Sequence, residues 1–213
     1  MSALETWGDA VGASPLAVVA IHGRGQNVEF MRGLAERINV SGVGFFAPTA
    51  PGNTWYPHPF LDRSPENVSS LADALRTVAA AVAAAEAAGF ARVVVLGFSQ
   101  GACVLSHLIL TKDLPLAGAV LFTGGYVGPD DIAPADVSAR PGLPVLLRSL
   151  DEDPWVPPHR VADTAKLLVR SGAHVDALIE TGDEHIVTER AIADARAFLT
   201  TVRDSVSSLS PQR

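Results

Sequence analysis

Two rhythms of apolar positions alternate along this 213-residue chain. Apolar runs occur at 16–23 (LAVVAIHG), 42–48 (GVGFFAP), 91–98 (ARVVVLGF), 117–125 (AGAVLFTGG) and 144–150 (PVLLRSL), and a further strand at 173–180 (AHVDALIE) closes the sheet. Short runs of this kind, without polar alternation, mark strands covered on both faces, as in a parallel sheet. Between them the spacing turns helical. Residues 28–38 place Phe30, Met31, Leu34 and Ile38 on one face, and 100–112 turn Val104, Leu105, Leu108 and Ile109 inward. Further helices are predicted over 158–170 and 187–202. A longer one begins after Ser64 as cap, with Pro65 at its first position, and stops at Gly89. Strands and helices thus alternate, with no internal repeat and no succession of hairpins, which predicts an α/β fold: a doubly wound, mostly parallel sheet flanked by helices, without a large lid domain. The Pro- and Gly-rich stretch 49–65 (TAPGNTWYPHPFLDRSP) is too long to be a mere connector.

Composition narrows the classes. The length and the lack of a linker predict one domain over 1–213, with a core at about 15–203 and a fraying polar tail at 204–213. A net charge of −7 argues against nucleic acid and anionic membranes as partners. The single cysteine, Cys103, excludes an internal disulfide, and no Cys/His cluster has zinc-site spacing. A reducing, cytoplasmic setting is expected. The start of the chain, MSALETWGDAVG, has acids and glycines where a signal peptide needs a basic start and an apolar centre. Asp73, Arg76 and Glu86 interrupt the apolar run 71–88, so it is expected to fall short of a membrane span and no stable insertion is foreseen.

The chemistry begins at Ser99. In an open parallel sheet, ligands bind beyond the carboxyl ends of the strands, and Ser99 stands there in Gly97-Phe98-Ser99-Gln100-Gly101. A G-x-S-x-G turn between strand and helix is a nucleophile elbow, which lifts the serine hydroxyl above the sheet edge. Side chains at 97 and 101 would collide with the neighbouring strand and helix at so sharp a bend. The helix starting at Gln100 aims its first amides at charge developing beside Ser99. An ordinary glycine-rich turn is the bland alternative.

A serine hydroxyl needs a base to take its proton and a carboxylate to orient that base, and in this fold both follow the serine, acid before histidine. The segment after 144–150 offers Asp151, Glu152 and Asp153, and Asp153, stiffened by Pro154, is preferred to Asp151. Of six histidines, His22 and His58 precede Ser99, His107 lies on the following helix, and His159 and His174 sit away from the expected rim. His185 alone combines order and position. The tetrahedral oxyanion would be met by the backbone N–H groups of Gln100 and, in the loop HGRGQN, of Arg24. That loop lacks both a G-x-G-x-x-G pattern and a Walker lysine, which argues against phosphate binding.

The segments IHGRGQN, APTAPGNTWYP, LGFSQGA, DPWVP and GDEHIV together resemble the phospholipase/carboxylesterase family of serine hydrolases, which includes the acyl-protein thioesterases, from about Leu16 to Phe198. The resemblance implies Ser99 as nucleophile, Asp153 as acid, His185 as base and the Arg24 and Gln100 amides as oxyanion donors. Two departures stand out. Members often carry His-Gly shortly before the acid, where this chain has Ser149-Leu150, and Gly-His before the last helix, where it has Glu184-His185. Both alter the wall of the site.

The expected activity is hydrolysis of short to medium carboxylic esters or thioesters through an acyl-enzyme, with water as second substrate and no cofactor or metal. Trp55, Tyr56 and Trp155 are candidates to line the substrate pocket. Cys103 is expected to pack beneath the elbow. Hydrolysis of a lactone, amide or peptide, and a non-catalytic binding role, are the alternatives. A homodimer is left open.

Overall fold

A computed structural model describes residues 3–12, 15–128 and 137–205. In chain order its main elements are β1 (Leu4–Gly8), β2 (Leu16–Ile21), α1 (Val28–Ile38), β3 (Val43–Pro48), α2 (Pro65–Ala87), β4 (Arg92–Phe98), α3 (Gln100–Thr111), β5 (Gly118–Phe122), β6 (Pro144–Leu150), α4 (Pro158–Arg170), β7 (His174–Glu180) and α5 (Glu189–Asp204). The strands form one sheet in the order β1-β3-β2-β4-β5-β6-β7, parallel throughout except for β1, which pairs antiparallel with β3. The fold is α/β, as the alternation of apolar runs predicts.

The three central strands account for the uninterrupted apolar runs: every residue of β2 and β5 is buried, and all of β4 after Arg92. Alternate side chains enter two different cores. Val19, Val95 and Leu121 pack with α2, α3 and α4, while Val18, Val94 and Val120 pack with α1 and α5. Burial of each such side chain is worth about 1.5–3 kcal/mol, so the central strands dominate the stability.

β1 corrects the sequence-based core boundary at about residue 15. LETWG alternates between exposed and half-buried positions, because an edge strand with neither face fully covered has no apolar run to betray it. It is held by ladder bonds to β3 and by Trp7 stacked on Phe45, with centroids 5.1 Å apart.

The helix ends follow local chemistry. Asn27 caps α1 by accepting from the Phe30 amide at 3.2 Å, and Ser64 caps α2 ahead of Pro65. A second correction concerns α2. By length and composition it is long and apolar enough to cross a membrane, despite its charges. In this fold its stripe of Leu71, Ala74, Val78, Ala81, Val82 and Ala85 packs against the sheet. Of the tail expected to fray, 206–213 lies outside the described residues.

The topology fixes where a site can form. From β2 the chain crosses through α1 to β3 on one side, and from β4 through α3 to β5 on the other. The loops leaving β2 and β4 therefore diverge, opening a crevice at the carboxyl ends of two adjacent strands. Those loops carry Arg24 and Ser99.

Candidate active site

Ser99 follows β4 and caps α3 with φ 52° and ψ −120°, a positive-φ conformation that costs a non-glycine residue of the order of 1–3 kcal/mol. Its neighbours hold it there. The Ser99 amide donates to the Phe122 carbonyl at 2.9 Å, and the Ser99 carbonyl accepts from the Cys103 amide at 2.9 Å as α3 begins. The two flanking glycines are required by contact. A Cβ on Gly97 would lie 2.8 Å from the Ala102 nitrogen, and one on Gly101 would overlap the Ile21 carbonyl oxygen.

The strained turn brings the Ser99 hydroxyl to His185. Ser99 Oγ and His185 Nε2 are 2.7 Å apart, and His185 Nδ1 and Asp153 Oδ2 are also 2.7 Å apart. A carboxylate only accepts, so Nδ1 carries the proton and Nε2 is left to accept from the serine. Asp153 is 6% exposed. Burial alone would raise its pKa. Hydrogen bonds from His185 and from the Trp155 and Val156 amides, at 2.8 and 2.9 Å to Oδ1, outweigh this and hold the carboxyl below its ordinary range. Asp151 is engaged elsewhere, its Oδ1 accepting from the Gly182 amide at 2.9 Å.

The His185 loop is assembled from distant parts. The Asp151 and Glu152 amides donate to the Glu180 and Gly182 carbonyls, zipping the acid and histidine loops together. Thr188 donates to Glu180 at 2.7 Å and caps α5, while Arg37 of α1 donates to the Val187 carbonyl at 3.1 Å. The imidazole rests on Phe98, the residue before the serine, with centroids 5.1 Å apart. Among the described residues no three of His, Cys, Asp and Glu are grouped to hold a metal ion.

On the other side of Ser99 stands the β2–α1 loop. A Cβ on Gly23 would come within 3.2 Å of the Ser99 Cβ, which measures how closely that main chain approaches the serine. Gln100, as the first residue of α3, has no preceding turn to receive its amide proton. His22 is buried. Its Nδ1 donates to the Gly23 carbonyl at 2.7 Å and its Nε2 accepts from the Ala50 amide at 3.1 Å. Burial lowers its pKa, only partly opposed by the Gly23 bond.

Ser99, Gln100, Arg24 and His185 open onto a cavity of about 510 Å³ whose apolar walls include Tyr56, Phe60 and Val156. Trp155 lies at its rim, 70% exposed, and Tyr56 is fully enclosed. Trp55 departs from the expectation drawn from the sequence. It is buried behind the wall, its indole N–H donating to the His22 carbonyl at 2.8 Å, and it does not border the cavity. Its polar handle has a backbone partner, which composition cannot reveal. Phe60 and Val156 border the cavity as well, and Cys103 does so without being among the expected lining residues; its position one helical turn beyond Ser99 is the only signal in the sequence. The Cys103 thiol is raised to about 11 by burial, so it stays protonated.

Comparison with known proteins fits this geometry. The sequence profile of the phospholipase/carboxylesterase family matches residues 17–203. A phospholipase/carboxylesterase from Dyadobacter fermentans is 28% identical, with a TM-score of 0.86 over 94% of this chain and 97% of that one. A carboxylesterase from Mesorhizobium loti is 26% identical, with a TM-score of 0.75 over 93% of each chain. The Bacillus cereus carboxylesterase, at 19% identity and a TM-score of 0.79 over 95% of each chain, shares the fold. A search of curated proteins found no significant match. With its fold and nearly its whole length in agreement, the chain belongs to the phospholipase/carboxylesterase family.

Proposed function

We propose that this hydrolase cleaves carboxylic esters or thioesters of short to medium acyl chains, with Ser99 as nucleophile, His185 as general base and Asp153 as its orienting acid. The observation that carries the reading is the unbroken chain of two 2.7 Å contacts from Asp153 through His185 to Ser99, at the floor of a cavity of about 510 Å³. His185 Nε2 takes the hydroxyl proton as Oγ attacks the acyl carbon. The tetrahedral oxyanion accepts from the Arg24 and Gln100 amides, which are fixed in advance by the loop and the helix start. The leaving alcohol or thiol then departs with the proton from Nε2. Water repeats the sequence on the acyl-enzyme, releasing the acid and restoring Ser99. Asp153, below its ordinary pKa, stays ionised to stabilise the imidazolium.

The cavity supports the substrate range. It is within the usual size for a small ligand, its walls at Tyr56, Phe60 and Val156 are apolar, and it opens beside an exposed Trp155. The similar structures described as esterases and carboxylesterases favour an oxygen ester first. The test is turnover of p-nitrophenyl esters and of matching acyl thioesters, from acetate to dodecanoate, by the protein and by Ser99→Ala. The reading expects Ser99-dependent turnover that is faster for short and medium acyl chains than for dodecanoate. Faster turnover of emulsified long-chain lipid, or turnover that survives Ser99→Ala, would overturn it.

A further inference from the structure

The wall of the cavity belongs to the stretch between the short 3-10 turn Pro51–Asn53 and α2, which has neither helix nor sheet to satisfy its backbone. Such groups must find partners when buried. Here the side chains of Arg24 and Gln100 supply them, residue after residue. Gln100 Oε1 accepts from the Trp55 amide at 2.9 Å, and Gln100 Nε2 donates to the Tyr56 carbonyl at 2.8 Å. Arg24 Nη1 donates to the Pro57 carbonyl at 2.6 Å and Nη2 to the His58 carbonyl at 2.7 Å. The two side chains thus grip four consecutive residues. Gln100 is 5% exposed, so its amide has little water to turn to, and it meets the chain as a neighbouring strand would. The Arg24 guanidinium is exposed, but its planar fork fits two successive carbonyls and lies 5.8 Å from the centre of the Tyr56 ring. The Gly25 amide adds a bond to the Asn53 carbonyl at 2.8 Å.

From this grip we infer that Arg24 and Gln100 are positioning residues for acyl-group selection: their side chains hold the Trp55–His58 segment, whose Tyr56 and Pro57 border the cavity, in place as support of the acyl wall. The same two residues whose backbone amides face the oxyanion in the proposed reaction thereby set how the acyl chain fits, and the inference rests on that reading. An acetyl group is too short to use the wall fully, whereas a longer chain must lie along Pro57 and Phe60, over the buried Tyr56. Loosening the grip therefore penalises long acyl groups more than short ones. A residue acting only on the oxyanion would penalise all of them alike.

Full-length Gln100→Ala, Arg24→Ala and Arg24→Lys separate these cases, since all three keep the backbone amides. Two readouts serve: hydrogen exchange of the amides of Thr54, Trp55, Tyr56 and His58, and kcat/KM for p-nitrophenyl acetate and octanoate. The expected result is at least about tenfold faster exchange at the Trp55 amide in Gln100→Ala, from loss of a buried hydrogen bond. The octanoate-to-acetate ratio is expected to fall about tenfold in Gln100→Ala and Arg24→Ala, with the loss mainly in KM. Arg24→Lys is expected to behave like Arg24→Ala, because an ammonium cannot span two carbonyls. Ser99→Ala should leave the exchange unchanged. Unaltered exchange, an unaltered ratio, or full rescue by lysine would each overturn the inference. If Gln100→Ala does not fold, the exposed Arg24 variants carry the test. If the wild-type protein turns over neither ester, the esterase reading fails by itself, and amide exchange still decides the grip.

Discussion

Ser99 and His185 meet at 2.7 Å, yet the two parts of the chain that deliver them are held in opposite ways. The Ser99 turn is fixed over five residues: a positive-φ serine, two glycines with no room for a side chain, and a helix starting at once. The His185 loop is fixed by residues far off in sequence. Arg37 lies 150 positions before Val187, and Asp151 and Glu152 belong to the acid loop; only Glu180, at the end of β7, is near in sequence. One is a steric device and the other an assembled one. A steric device should break completely with one methyl group, whereas an assembled one should loosen by degrees.

The largest effects should come where the two parts touch. Ser99→Ala or His185→Ala is expected to reduce ester turnover by about a million-fold, and Asp153→Asn by about ten-thousand-fold, as groups acting as one unit do. Steady-state kinetics will check this, and Asp151→Asn supplies the contrast. Because Asp151 bonds the Gly182 amide and not the imidazole, it should retain far more activity than Asp153→Asn.

Next comes the steric device. Gly101→Ala drives a methyl group into the Ile21 and His22 carbonyls, and is expected to cost about 3 kcal/mol or more, read as a lower urea midpoint. A stable, fully active Gly101→Ala protein would show that the elbow is more pliant than the contacts say. The assembled device should respond more gently. Arg37→Ala loses the bond to Val187 and an exposed ion pair with Glu189, and is expected to change stability by less than about 1 kcal/mol. Its kcat should nevertheless drop by up to about tenfold as the loop shifts.

The same division explains what can be read from the sequence. The elbow is local, so five letters between an apolar run and a helical one disclose it. The inner parallel strands, unlike the edge strand β7 with no fully buried residue, are equally plain, because burial on both faces leaves uninterrupted apolar runs. β1 is not, since LETWG is half exposed and takes its order from Phe45 and the β3 ladder. The roles of Trp55 and of the Arg24 and Gln100 side chains are hidden for a related reason. Each bonds to backbone carbonyls or amides, and backbone carries no sequence signature. Between Asp151 and Asp153, two residues apart, only the turn geometry shows which carboxylate faces His185.

The smallest expected effect is electrostatic. Burial lowers the pKa of both His22 and His107, so each stays neutral in the fold, whereas the unfolded chain would protonate near the ordinary value of about 6.5. Unfolding then takes up protons below that pH, and stability should fall as pH drops through about 6.5. Asp153 acts in a lower window. Its depressed pKa stabilises the fold above the ordinary carboxylate value, and that contribution should be lost progressively as pH falls from about 4 through the lowered pKa. Urea midpoints from about pH 7.5 to about pH 2.5 will show the two phases. His107→Gln should flatten the upper phase, and an unchanged slope would mean that His107 titrates alike in both states.

The central claim is that the Ser99 hydroxyl is a nucleophile activated by the imidazole it touches. Reaction of the protein with a fluorophosphonate, followed by peptide mass spectrometry, addresses it directly. The predicted result is a single phosphonylated residue, Ser99, formed rapidly in the wild-type protein and slowly in His185→Ala. Modification at another serine, or equal rates with and without the imidazole, would contradict it.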